Sequence, residues 1–252
     1  MMTTDHPPQD RTLSFASPLD NDCDEDPVMI AFHDLVHEQA SLGSDSLVEL
    51  HRMWLGPRGV FAALSAEIEH MGRQAPGLDD VQLLETPQRI EAAERAIAYA
   101  LAKSNRRVAT VNPLRGRSRE ALCCIAFDEY AGYTLVERYT AYEAIRESDS
   151  AFFIKLIATT RGVSERRIVF RGLLEHYDRL MPLEKCIFPL GYRAVQQAHL
   201  EREEAARGGW MFEDDVLTLL EKMTPLELLR QVMAPVDLST DPSADASADP
   251  SP

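Results

Sequence analysis

The chain has 252 residues and carries 26 Lys and Arg against 41 Asp and Glu, a formal charge of −15. That excess of acid argues against a chain built chiefly to grip nucleic acid. No apolar run approaches the ~18 to 20 residues of a membrane-spanning helix, and the first residues lack the basic-then-apolar order of a secretory signal.

Charge is uneven along the chain. Met1–Asp26 has a net charge of −6 and no helical spacing, and it reads as a disordered acidic tail. Asp26-Pro27 then puts a capping acid before a proline suited to a first turn, opening a helix near 27–41. Within it, His33-Asp34-Leu35-Val36-His37 sets two imidazoles one turn apart and resembles the HExxH zinc motif. Asp34 stands where hydrolysis needs the longer Glu. Glu67, Glu69 and His70 are candidate third ligands. An ordinary amphipathic helix around Ile30, Leu35 and Val36 explains the same residues without metal. Gly43 ends that helix, and the capping box Ser46-Leu47-Val48-Glu49 opens the next, near 46–55. Gly56-Pro57 separates it from a helix near 57–72.

Thr86-Pro87 opens a helix near 87–103, where Ile90, Ala93, Ile97 and Ala100 form a buried stripe. A basic stretch follows: Lys103, Arg106, Arg107, Arg115, Arg117 and Arg119, with no acid between them. Arg in a loop with Gly and Asn suits phosphate, nucleic acid or an acidic protein surface. A solvated connector that balances nearby acids is the plainer reading. Val108-Ala109-Thr110-Val111 alone looks extended, and it is too short to build a sheet.

The helix near 119–129 contains the run Ala121–Phe127. Cys123 and Cys124 lie about 100° apart on it and read as core fillers. The four cysteines, with Cys23 and Cys186, form neither a CxxC pair nor a disulfide framework, which suits a reducing cytoplasm. Phe127–Thr134 faintly resembles a calcium loop, but its glycine falls at the fifth place and the alternating oxygen ligands are missing. A turn and the capping box Thr134-Leu135-Val136-Glu137 account for it. Tyr130, Tyr133, Tyr139 and Tyr142 cluster as packing residues, suited to an interface where exposed.

Helices near 135–147, 150–161 and 164–180 come next. Residues 154–173 resemble a helix-turn-helix: Ala158 is the small residue, Gly162 the turn and Ile168 the anchor, with Val163 after the turn and Ser164 as a cap. Arg166, Arg167 and Arg171 would lie on or near the exposed side of the second helix, where bases and phosphates are met. A plain helical hairpin needs the same glycine and apolar anchors. Helices near 190–207, 212–222 and 225–233 complete the series, with Gly208-Gly209 as a stop and Thr224-Pro225-Leu226-Glu227 as a capping box. Met233–Pro252 has a net charge of −4 and is low in complexity.

The sequence therefore predicts an all-α, irregular multi-helix globular body of about ten helices between disordered N- and C-terminal tails. The predicted division is a tail over 1–26, an N-terminal helical part over 27–103, a basic connector over 104–117, a C-terminal helical part over 118–233 and a tail over 234–252. The helical block is long enough for one large core or two smaller ones. GxxxxGK[ST], GxGxxG and GxSxG are all missing from the chain, and no cofactor is expected. The expected function is that of a non-enzymatic helical protein-interaction or regulatory protein, cytoplasmic and with another protein as partner. Leaderless export fits the same pattern, and oligomeric state stays open. The alternative is a nucleic-acid-binding regulator using 154–173 and 103–119. An enzyme using zinc at His33 and His37 is a third reading.

Overall fold

Side chains able to accept a hydrogen bond mark most helix starts in the computed structural model, which describes residues 26–105, 110–160 and 165–233. Asp26 accepts from the Val28 amide at 2.9 Å at the head of α1 (Pro27–Ala40). Thr86 accepts from Arg89 ahead of α4 (Pro87–Ser104). Ser118 and Asp215 do the same for α5 (Arg119–Phe127) and α10 (Val216–Lys222). The predicted boxes close at α6 (Leu135–Ala158) and α11 (Pro225–Met233). There Glu137 and Glu227 accept from the amides of Thr134 and Thr224, and each threonine hydroxyl accepts in return. Each such cap satisfies amides that the helix itself leaves unpaired.

The remaining helices are α2 (Ser44–Leu55), α3 (Val60–Met71), α7 (Arg166–Asp178), the single turn α8 (Pro182–Lys185) and α9 (Tyr192–Arg207); 3-10 segments span Gly72–Gln74 and Pro76–Leu83. Eleven α-helices and no strand occur among the described residues, so the chain is an all-α, multi-helix protein. None of these helices is long and apolar enough to cross a membrane. The two predicted tails, except Asp26, fall outside the described residues, as do Val108 and Ala109 of the extended-looking segment. Two expectations are corrected. The helix read from Ser46 begins at Ser44 with Gly43 at its cap and no side-chain cap bond, so Ser46 and Glu49 are not a capping box. The helices read as 135–147 and 150–161 are one helix, α6.

The described residues form two compact units. The first takes in residues up to Ala151 together with Tyr177–Tyr192, so the stretch 104–117 lies inside it. Its core joins Phe61, Leu64 and Ile68 of α3 to Ala93, Ile97 and Ala100 of α4, Cys123 and Ile125 of α5, and Val136, Tyr139 and Ile145 of α6. Helix α1 lies along α5. Phe61 stacks on Tyr142 at 4.9 Å and tilts against Trp54 at 5.4 Å. Asn112 fastens its loop to α6 by donating to the Thr140 carbonyl at 2.9 Å, while its own carbonyl accepts from Leu114.

The second unit comprises Phe152–His176 and the described residues from Arg193 onward. Phe152 and Leu156, Ile168, Val216 and Leu220, and Leu228 and Val232 form its core. Gly172 lets α7 approach closely: a Cβ there would lie 2.9 Å from a Leu156 methyl and 3.2 Å from one of Val216. Past α9, Gly208 takes a φ of +89°, a left-handed stop suited to glycine.

Glu175 reaches α10 from α7 and accepts from the Val216 amide at 2.7 Å. Burial, reinforced by the neighbouring Asp215 charge, raises its carboxyl from 4.5 to about 7, against the pull of the amides of Val216 and Leu217 and of Arg171. Between those values the folded protein holds a proton that the unfolded chain has released, so this group's contribution to stability is lost as pH rises through the window. Glu175→Gln keeps an acceptor for the amide and does not ionise. Its stability relative to the parent should therefore increase from about pH 5 to about pH 8. Denaturant unfolding across that range measures the difference, and a flat difference contradicts the shift.

Candidate interaction surface

Helix α2 has the sequence SDSLVELHRMWL, and one buried residue sets how it lies. Trp54 points inward, 8% exposed. Its indole Nε1 donates to Glu129 Oε1 at 3.1 Å, and the Arg138 guanidinium covers its face at 3.9 Å. Arg138 in turn donates through Nε to the Ala126 carbonyl at 3.0 Å. Burial lowers the pKa of Arg138, with Glu129 and Asp128 opposing that fall. A helix advances about 100° per residue, so fixing Trp54 inward turns Met53 outward, where it is 44% exposed.

Ser46, Leu50 and Met53 follow one another at four- and three-residue steps along α2, and with Leu42, just ahead of the helix, they line its open side. The surface continues into a depression of about 150 Å³ over Trp54, closed by Leu35 and Gln39 of α1, Phe127, and Leu183 of α8. Gln39 fixes that floor by accepting from the Leu183 amide at 3.1 Å. Tyr130, 78% exposed, stands at its far end; the Asp128 carboxylate turns the loop there by accepting from the Tyr130 amide at 2.8 Å. In the other direction the surface passes Pro57, Arg58 and Val60 at the corner between α2 and α3. The result is an apolar groove with Glu38, Asp45, Glu49 and Glu129 on its rim.

Of the residues singled out from sequence, Tyr130 borders this surface, while the basic candidates lie elsewhere. Lys103 is drawn to Glu143 and Glu147 and donates to the Tyr99 hydroxyl at 3.1 Å. Burial works to lower its pKa, yet the bonds to Glu143 and Tyr99 hold it above its ordinary value. Arg119 is half-buried between Asp149 and Glu184, at 2.6 Å from each. Arg115 and Arg117 are exposed, and Arg106 and Arg107 lie outside the described residues.

In the second unit, Ile168 is fully buried, as an anchor should be; Gly162, Val163 and Ser164 lie outside the described residues. The three arginines expected toward solvent face acidic partners. Arg167 is buried, paired with Glu165 at 2.9 Å, and donates to the carbonyls of Arg207 and Gly208 that end α9. Arg171 pairs with Glu204 at 2.7 Å and lies over Trp210, and Arg166 lies 3.5 Å from Glu203. The exposed placement expected for Arg167 is thus corrected: the Glu165 carboxylate and the carbonyls of Arg207 and Gly208 at the end of α9 draw the cation inward.

His33 and His37 are exposed on α1, and among the described residues no group of three His, Cys, Asp or Glu could hold a metal ion. Cys123 and Cys124 are buried and unbridged, as expected. Burial pushes the Cys123 thiol well up and the Cys124 thiol to about 12. The loop read against a calcium site is the predicted turn and capping box.

The sequence reading did not single out the groove. Part of its signal was present: Leu42, Ser46, Leu50 and Met53 recur at steps of four, four and three. No protein-family model, curated protein or solved structure matches this chain.

Removing the Arg167 side chain leaves the Glu165 carboxylate buried and two α9 carbonyls without a donor. Arg167→Ala should therefore destabilise the second unit by roughly 3 kcal/mol. Arg115→Ala, at an exposed position, should change stability by less than about 0.5 kcal/mol. Urea unfolding of both variants checks the contrast, and equal effects would show that the Arg167 network carries no stability.

Proposed function

We propose that the chain is a non-enzymatic protein-interaction protein whose first unit presents the α1–α2 groove to another protein. The observation that carries this reading is the outward stripe of α2, apolar along its middle and continuous with the depression over Trp54. Exposed apolar surface rimmed by polar groups costs solubility and marks sites of association. Met53 suits such a role, because an unbranched thioether side chain adapts to different partner shapes. The floor beneath is fixed by Trp54, Arg138 and Glu129, so little order has to be created on binding.

The pairing of Arg166, Arg167 and Arg171 with the acids of Glu165 and α9 counts against the nucleic-acid reading. A duplex phosphate would have to displace a carboxylate already in place.

Photo-crosslinking in cells tests the proposal. A benzophenone side chain at position 53 should give a discrete adduct, and the same group at exposed Ala98, outside the groove, should give none. Met53→Asp should weaken the captured complex by about tenfold or more while leaving the thermal midpoint unchanged. No adduct at position 53, or equal adducts at both positions, would count against the groove as the working surface.

A further inference from the structure

The occupant of the groove can be specified further, on the premise that it is a protein-docking surface. We infer that it takes the apolar face of a cationic amphipathic helix. From Ser44 to Met53 α2 rises about 14 Å, enough for two to three turns of a partner helix laid alongside it, and Leu42 extends the surface just ahead of the helix. Leu50 and Met53 lie one turn apart on α2, the spacing that receives side chains at i and i+3 or i+4 of a docked helix, and Leu42 adds a third apolar contact ahead of the helix.

Charge selects among helices. Between Tyr130 and Met53 the lining holds Glu38, Asp45, Glu49 and Glu129 and no Lys or Arg. Glu129 uses one oxygen on Trp54. Glu49 is partnered by Arg52, which with Arg58 lies toward the α3 corner. The groove is thus acidic at its Tyr130–Leu42 end and mixed at its Pro57 end. A helix carrying Lys or Arg beside its apolar stripe complements that pattern, and the charges speed its encounter and fix its register.

Other occupants fit less well. A second copy of this chain docking symmetrically would set these carboxylates against themselves. The chain's own terminal segments carry net charges of −6 over Met1–Asp26 and −4 over Met233–Pro252, the wrong sign for this rim.

The test uses the full chain and three fluorescent model peptides of equal length, read by anisotropy at physiological salt. One is an amphipathic Leu–Lys helix, the second its Leu–Glu counterpart, and the third a scrambled Leu–Lys peptide of identical composition. The Leu–Lys helix should bind at least tenfold more tightly than the scrambled peptide, and the Leu–Glu helix should not bind. The double variant Leu42→Asp, Met53→Asp should lose that binding even though it adds negative charge, which separates groove docking from general attraction to an acidic protein. The charge reversal Asp45→Lys, Glu49→Lys should shift preference toward the Leu–Glu helix. Circular dichroism confirms the fold of each variant. Binding that ignores the double variant, or a scrambled peptide that binds equally well, overturns the inference. So does a concentration-dependent dimer abolished by Met53→Asp, which would make a second copy the occupant. If position 53 crosslinks to a partner while the Leu–Lys helix fails to bind, the docking surface stands and its assigned chemistry falls.

Discussion

The side chain of Trp54 is held from three directions: a carboxylate at its ring nitrogen, a guanidinium over its face and a phenyl ring at its flank. A helix rotates as a body, so clamping one residue fixes the bearing of all the others. That clamp decides that Met53 and Ser46 face outward while Trp54 closes the core. It also links segments far apart in sequence, because Glu129 comes from the loop after α5 and Arg138 from the first turn of α6. The apolar face of α2 is therefore a consequence of tertiary packing. Exposing Met53 and Leu42 to water carries a cost, roughly 25 cal/mol for each Å² of apolar surface left uncovered.

Cation placement follows a second rule. In a chain this acidic, carboxylates outnumber the bases available to them, and several bases near a packed surface find one. Arg119 meets Asp149 and Glu184, Lys103 meets Glu143 and Glu147, and Arg167 meets Glu165. Buried pairs of this kind add little net stability, but removing one partner leaves the other uncompensated. Their more visible effect is geometric. Arg119 joins α5 to α6 and to α8 within the first unit, and Arg167 joins the start of α7 to the end of α9 within the second.

Much of the fold was legible in the sequence, and for local reasons. Asp26, Thr86, Thr134 and Thr224 announce helix starts because a cap is chemistry between near neighbours. Fixing the start of α2 failed because Ser46 and Glu49 satisfy the pattern of a box without its geometry; the chain had already turned helical at Ser44. The break read near residues 148–150 failed because Ser and Asp are only weakly unfavourable inside a helix, and Asp149 is held by Arg119 instead of capping. The 3-10 segments over residues 72–83 carry no periodic signature and went unread. The candidate surface was only faintly legible, since it depends on how far α2 is rotated and on Tyr130 and Leu183 reaching it from elsewhere. The arginines of 166–171 show the converse. They were placed on or near the exposed side of a second helix, but spacing alone does not reveal that α9 lies opposite and that Arg167 is buried.

The adjacent free cysteines of α5 offer a last consequence. Both thiols are buried and held well above neutrality, so in the closed state almost none of either is thiolate, the form that reacts with alkylating reagents. Their modification in native buffer consequently has to wait for α5 to come away from α1 and α6. The rate at which label accumulates at Cys123 and Cys124 is then a built-in clock for the opening of this core, one that needs no mutation and no attached reporter.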